Sequence, residues 1–191
     1  MKPIDLAGFD RKFSNDDDPW STFSDRDEAH KRTAILHGLG GAPTGRVLEL
    51  AAGNGSNSVK LSRRALRLDA TEGTVAGIRL VARAIGETDR ARVRRLVLPG
   101  RFPAACYDHI VVAEVLYYLS KRAMAQVARD VAAALRPGGR LILAHHRVDY
   151  PDFVQHAEGI HDRFVGETGA RWSRAGGVRT GRWRVETYVR A

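Results

Sequence analysis

The chain has 191 residues, enough for one domain with a full core or one domain with a small appendage. Its 43% hydrophobic content is ordinary for a globular protein, and no run of about 18 apolar residues offers a membrane span. Cys106 is the only cysteine, which excludes an internal disulfide framework and any multi-cysteine metal site. The start, Met1–Asp5, lacks the apolar centre of a signal peptide, so a cytoplasmic location is expected. The formal net charge of +9 is unevenly spread. Asp16, Asp17, Asp18, Asp25, Asp27 and Glu28 make the beginning acidic, whereas Arg163, Arg171, Arg174, Arg179, Arg182, Arg184 and Arg190 crowd the end. Such a basic region can steer anions or nucleic acid, but no compact Lys/Arg run with interleaved aromatics occurs, which favours a solvated surface.

Residues 1 to about 19 are polar, and Pro19 after Asp18 argues against a stable helix there; Trp20 and Phe23 give the segment something to dock with. Asp25 to Leu39 has helical spacing and ends at Gly40-Gly41. A strand is predicted over 47–50, then a glycine turn, Gly53-Asn54-Gly55, and a short helix from Ser56 to about Arg64. A strand over 66–69, a helix from Glu72 to Ile85 and a strand over 93–98 follow. Tyr107–Ala113 is nearly continuous in apolar residues, as expected of a strand buried on both faces. Lys121–Leu135 is an amphipathic helix stopped at Arg136-Pro137-Gly138-Gly139, and 141–144 is a fifth strand. A helix is predicted near 152–166, then strands at 170–174 and 183–189 flanking Gly176-Gly177 as a hairpin. Alternating strands and helices predict an α/β fold: a mostly parallel sheet covered on both sides, with one antiparallel strand near the C-terminus.

The stretch Val47–Ser58 is a strand, a tight glycine turn and a helix start, the order a nucleotide-binding unit needs. Four features at these spacings resemble the class I S-adenosylmethionine-dependent methyltransferases: Glu49 with the Gly53-Asn54-Gly55 turn, an acidic residue closing the second strand, the segment Tyr107–Leu119, and Leu135–Leu141. The resemblance spans about residues 45 to 190. Within that class, Asp18-Pro19-Trp20 and Ala113–Leu119 look like the NodS-type branch, the nodulation N-methyltransferases and their relatives. It implies a Rossmann-like three-layer α/β/α sandwich with a seven-stranded sheet. It also implies a lid or cap over residues 1–44 before a methyltransferase domain over 45–191, with S-adenosylmethionine as cofactor and S-adenosylhomocysteine as product.

The resemblance puts Glu49, Ala51, Gly53 and Gly55 around the cofactor's amino-acid end, and Val97, Leu98, Glu114 and Val115 along the rest of it. An acidic side chain takes the ribose hydroxyls. Asp69 and Glu72 both fit; Asp69 sits at the predicted strand end and is preferred, while Glu72, nineteen residues past Gly53, has the dinucleotide-fold spacing. Two positions depart from the family pattern. Ala51 stands at the usual first glycine, and Val97 or Leu98 replaces the acid that meets the adenine amine. The acceptor belongs at the C-terminal ends of the fourth and fifth strands. His145 or His146 is the expected base, because an amine nucleophile must be neutral; hydrogen-bond capping of the sheet is the alternative for either. Trp20, Tyr118, Arg147 and Tyr150 are expected around the acceptor, with Tyr117, Asp149 and His161 as further candidates.

No metal site is expected, since adjacent His145 and His146 point to opposite sides of a strand. A nicotinamide enzyme is disfavoured by the missing G-x-G-x-x-G spacing. The expected reaction is transfer to a small-molecule amine or hydroxyl. RNA methylation, prompted by the basic C-terminal third, and a non-catalytic partner subunit, prompted by Ala51 and Val97, are the alternatives.

Overall fold

A computed structural model describes residues 3–41 and 43–191; Met1 and Lys2 of the stretch read for a signal peptide, and Ala42, lie outside them. Seven strands form one sheet: β1 (Thr44–Leu50), β2 (Ala65–Glu72), β3 (Ala91–Arg95), β4 (Tyr107–Ala113), β5 (Leu135–His146), β6 (Trp172–Arg179) and β7 (Trp183–Arg190). Their order is β3-β2-β1-β4-β5-β7-β6, with β7 antiparallel to both of its neighbours and the other pairings parallel. Six helices complete the described chain: α1 (Leu6–Asn15), α2 (Arg26–Gly38), α3 (Ser58–Arg64), α4 (Val75–Ile85), α5 (Lys121–Ala134) and α6 (Ile160–Gly166). No described helix is long and apolar enough to cross a membrane.

The central strands are buried on both faces. On one side Leu48, Ile110, Val112, Leu141 and Leu143 pack against Met124, Val127 and Val131 of α5 and Phe164 of α6. On the other, Val47, Val111 and Ile142 pack against Ile35 of α2, Leu61 of α3 and Val81 of α4. Strand order, not strand direction, reverses between the parallel neighbours β1 and β4, so their C-terminal ends open a crevice where a ligand can sit.

Several boundaries differ from the sequence expectations, each for a tertiary reason. The N-terminal segment does hold a helix. Asp5 caps α1 by accepting from the Gly8 amide at 2.8 Å, and Phe13 packs on Ala76 and Leu80 of α4. Asp10 then accepts the Ala76 amide at 2.9 Å, so docking supplies what composition does not. The helix expected from Glu72 begins at Val75, because Thr74 caps it and Glu72 completes β2. The helix expected near 152–166 shortens to α6. The amides of Val154 and Gln155 instead bond the Tyr117 carbonyl, and Phe153 stacks on Tyr117. Gly176-Gly177 lies inside β6 at a bulge, where a Cβ on Gly177 would stand 2.4 Å from the Val185 carbonyl oxygen; Thr180 closes the hairpin turn.

Asp69 is the main correction to the expected cofactor residues. It sits mid-strand in β2, buried, with Oδ2 accepting from Arg46 Nε at 2.9 Å, Arg46 Nη2 at 2.7 Å and the Tyr107 hydroxyl at 3.2 Å. Those partners tie β2, β1 and β4 together, and the carboxylate does not reach the crevice. Asp69→Ala therefore strands a buried hydroxyl and a guanidinium, and should lower unfolding free energy by about 1–3 kcal/mol while leaving ligand affinity unchanged, as read by urea denaturation and calorimetry.

Candidate functional site

The crevice is a cavity of about 530 Å³, within the usual range for a small-molecule site. Its floor is the turn after β1. Ala51 (φ 53°), Gly53 (φ 62°) and Gly55 (φ 87°) all lie in the left-handed region, which Ala51 occupies at a cost of roughly 1–2 kcal/mol relative to glycine. A Cβ on Gly53 would meet nothing closer than Phe13 at 3.6 Å, so the space above the loop is open. Gly55 differs: a Cβ there would press on Val81 and Ala84 at 3.0 Å, so its bareness lets α4 pack.

Of the two acids the sequence left open, Glu72 is the one that faces the cavity. It lines the cavity, its Oε2 accepting the Gly53 amide at 3.0 Å and its Oε1 the Thr74 amide and hydroxyl at 2.9 Å. Thr74 fills Oε1, while Oε2, with one protein donor, keeps acceptor capacity for a ligand hydroxyl. Gly77 makes room for this bend, since a Cβ there would lie 2.8 Å from Glu72 Cγ. Leu96, Val97 and Leu98 curl over the same end and give a planar group an apolar seat. Glu49 lies beneath the loop and does not reach the cavity. It is buried, Ser58 donates to its Oε2 at 2.5 Å, and burial pushes its carboxyl up to about 8.

The opposite end of the cavity is polar. Glu114 carries φ 54°, an uncommon conformation for a non-glycine residue and a mark of functional strain. That backbone turns its side chain inward, where Oε1 accepts from Lys31 and Oε2 from the Tyr117 hydroxyl and, at 3.2 Å, the His146 amide. Lys31 of α2 is almost fully buried and also donates to Glu28 at 2.7 Å. Burial works against its charge, but Glu114 and Glu28 outweigh it and hold the ammonium above its ordinary range. His146 Nε2 stands 3.4 Å from both Lys31 Nζ and Glu28 Oε1. Burial would lower its pKa; hydrogen bonding to Glu28 and the charge of Glu114 prevail and raise it. Burial likewise opposes ionisation of Glu28, yet His146 and Lys31 bring its carboxyl down to about 2. Glu28 and Lys31 escaped the sequence reading. Their only signal was a charged i, i+3 pair in a helix, indistinguishable from a solvated face.

Trp20, Tyr117, Tyr118, Tyr150 and Val115 line the cavity, as does Arg182, which the sequence reading did not single out. Of the chain's three Trp, five Tyr and six Phe, half surround this one space. Thr22 and Asn54 tie the N-terminal segment to the glycine loop, with Asn54 Nδ2 donating to Asp18 at 2.8 Å and the two side chains 2.9 Å apart.

Four expected residues point elsewhere. His145 is buried on the far face of β5, its Nε2 accepting the amides of Val115 and Leu116 at 3.3 Å. Its Nδ1 lies 3.0 Å from His161 Nε2, and His161 Nδ1 lies 2.7 Å from Glu186. With both imidazoles neutral, every nitrogen in the chain is satisfied. His145 therefore cannot serve as the base: its lone pair holds the loop that carries Glu114. His161 belongs to this chain and does not face an acceptor. Arg147 donates to the Thr180 carbonyl at 2.5 Å, across the β6–β7 turn, and Asp149 bonds His156 and the Ala157 amide.

The strand order and the glycine turn define a class I S-adenosylmethionine-dependent methyltransferase. The family model for nodulation protein S (NodS) matches residues 7–162, and the chain belongs to that family. Solved structures share the fold. The N-methyltransferase NodS from Bradyrhizobium japonicum WM9, in complex with S-adenosyl-L-homocysteine, is 22% identical with a TM-score of 0.83, and the match covers 97% of each chain. The DhpI–SAH complex is 20% identical with a TM-score of 0.72, over 97% of this chain and 95% of that one. Geranyl diphosphate C-methyltransferase from Streptomyces coelicolor A3(2) is 16% identical with a TM-score of 0.68, over 86% and 79%. No curated protein matches the sequence.

Burial lowers the titration of His145 and His161 below the ordinary imidazole value of 6.5. The unfolded chain therefore binds more protons below that value, and stability should fall as pH drops below about 6.5; His146, shifted upward, acts in the window above 6.5, where stability is instead lost as pH rises. Loss of the Glu28 and Glu186 contributions follows lower, between their ordinary 4.5 and about 2. Urea midpoints measured across these windows check both steps, and a flat curve below 6.5 would mean the buried pair titrates as it does in the unfolded chain.

Proposed function

We propose that the chain transfers a methyl group from S-adenosylmethionine to the nitrogen of a small, cationic acceptor. When bound, the cofactor supplies a methyl group already activated on a sulfonium. The residues at the glycine end fit that group. Glu72 is aimed at a ligand hydroxyl, Leu96 to Leu98 at a planar base, and the bare backbone of Gly53 permits close approach. The segment up to residue 44 serves as the lid over it, and the enzyme works in the cytoplasm.

One observation carries the choice of an amine. In a chain of formal charge +9, the cavity is lined by Asp5, Asp25, Glu28, Glu72, Glu114 and Asp152 against Lys31 and Arg182 alone. At the far end two carboxylates face one fixed cation. Positive charge arises on the acceptor nitrogen as its new bond forms, and preformed carboxylates favour that development. A hydroxyl acceptor, which gains no lasting charge, has no use for this excess.

His146 is the base in this reading. Protonated, its Nε2 donates to Glu28; neutral, it accepts from Lys31, and both partners stand at the same 3.4 Å. The ring can thus take a proton from an arriving ammonium without losing its hydrogen bond. Its raised titration means that turnover climbs as pH rises above the ordinary imidazole value of 6.5.

Two substitutions test the assignment. Glu72→Ala should weaken S-adenosylhomocysteine binding at least about tenfold, roughly 1.4 kcal/mol, by calorimetry. His146→Ala should lower kcat about a hundredfold on any amine that a radiolabelled methyl-transfer screen returns, with cofactor affinity retained. Unchanged turnover would remove His146 from the chemistry, and transfer to hydroxyls alone would remove the amine.

A further inference from the structure

Aromatic rings run without a break along the acceptor side of the cavity. Trp20 lies 6.0 Å from Phe9, Phe9 4.8 Å from Tyr118, Tyr118 4.9 Å from Tyr117 and 5.1 Å from Phe153, and Phe153 5.5 Å from Tyr150. Tyr150 meets the His146 ring edge-on at 6.1 Å, which brings this wall against the charged cluster.

The carboxylates there offer charge but few vacant acceptors. Glu114 Oε1 is engaged by Lys31, and its Oε2 by Tyr117 and the His146 amide. Glu28 Oε1 is shared by Lys31 and His146. Glu28 Oε2 alone receives no hydrogen bond from the described residues. A primary ammonium has to place three N–H donors on Glu28 and Glu114 oxygens that, Glu28 Oε2 apart, already serve protein donors. Each alkyl group removes one donor and adds apolar surface while keeping the charge, and aromatic faces attract such a cation.

Building on the amine reading above, we infer that the acceptor end is a cage for alkylated ammonium groups, so that secondary and tertiary aliphatic amines are preferred over primary ones. An amine arriving protonated gives one proton to His146 and on to solvent. One S–C bond of the cofactor then breaks as one N–C bond forms, and the nitrogen is cationic again inside the rings. A primary amine that does enter leaves with more than one methyl group, because each transfer improves its fit.

The test is calorimetry on the full chain saturated with S-adenosylhomocysteine, titrated with choline, with its neutral isostere 3,3-dimethyl-1-butanol, and with the primary congener ethanolamine. Choline should bind at least about tenfold more tightly than either, as a charged guest among aromatic faces does. Glu28→Gln and Tyr118→Leu should each cut that affinity about fivefold or more, while S-adenosylhomocysteine binding stays unchanged. Equal affinity for choline and its isostere overturns the cage, as do tighter binding of ethanolamine, no choline binding, or indifference to both substitutions. Each of those results leaves the cofactor reading standing. Failure of S-adenosylhomocysteine itself to bind overturns the reading and the cage together.

Discussion

The buried ammonium of Lys31 is the contact on which the arrangement depends. A lysine removed from water is tolerated only when its charge is met, and here Glu28 on its own helix and Glu114 from the end of β4 meet it. The consequences spread outward. α2 has to lie across the C-terminal edge of the sheet, and Trp183 of β7 fixes it there by donating to Asp27 at 2.9 Å. Glu114 has to leave the strand in a left-handed conformation. The amides just after it are caught by His145, whose imidazole is backed by His161 and Glu186. A hydrogen-bonded spine beneath the site thus holds a strained backbone above it.

At the other end, one carboxylate organises a loop. Glu72 gathers the Gly53 amide and both donors of Thr74, so the turn after β1 and the start of α4 are set by a single side chain from β2. Its neighbour along the strand, Asp69, is also a buried carboxylate, yet works only within the sheet. Three residues of displacement along one extended segment separate an architectural acid from one facing a ligand.

That pair shows what the sequence could and could not disclose. The alternation of strands and helices, the glycine turn and the double burial of Tyr107–Ala113 were legible, because each follows from local periodicity and backbone requirements, whereas the order of the strands in the sheet was not. The choice between Asp69 and Glu72 was not, since β2 runs on to Glu72 and a strand's length is fixed by its neighbours. His145 and His146 were correctly placed on opposite faces of β5, but which face held the cavity depended on α6 and β7. Lys31 and Glu28 were illegible for a deeper reason. A helix with charges at i and i+3 looks solvated until something covers it. The helix of the first fifteen residues was hidden likewise, as its stability comes from α4 rather than from its own composition.

The first thirty-eight residues touch both ends of the cavity at once. Thr22 and Asp18 bond Asn54 at the glycine loop, while Glu28 and Lys31 sit among the charges at the polar end. A movement that frees one contact strains the other, because both hang from one short stretch of chain. The two ends of the cavity therefore share one cover, held by a single stretch of chain rather than by two.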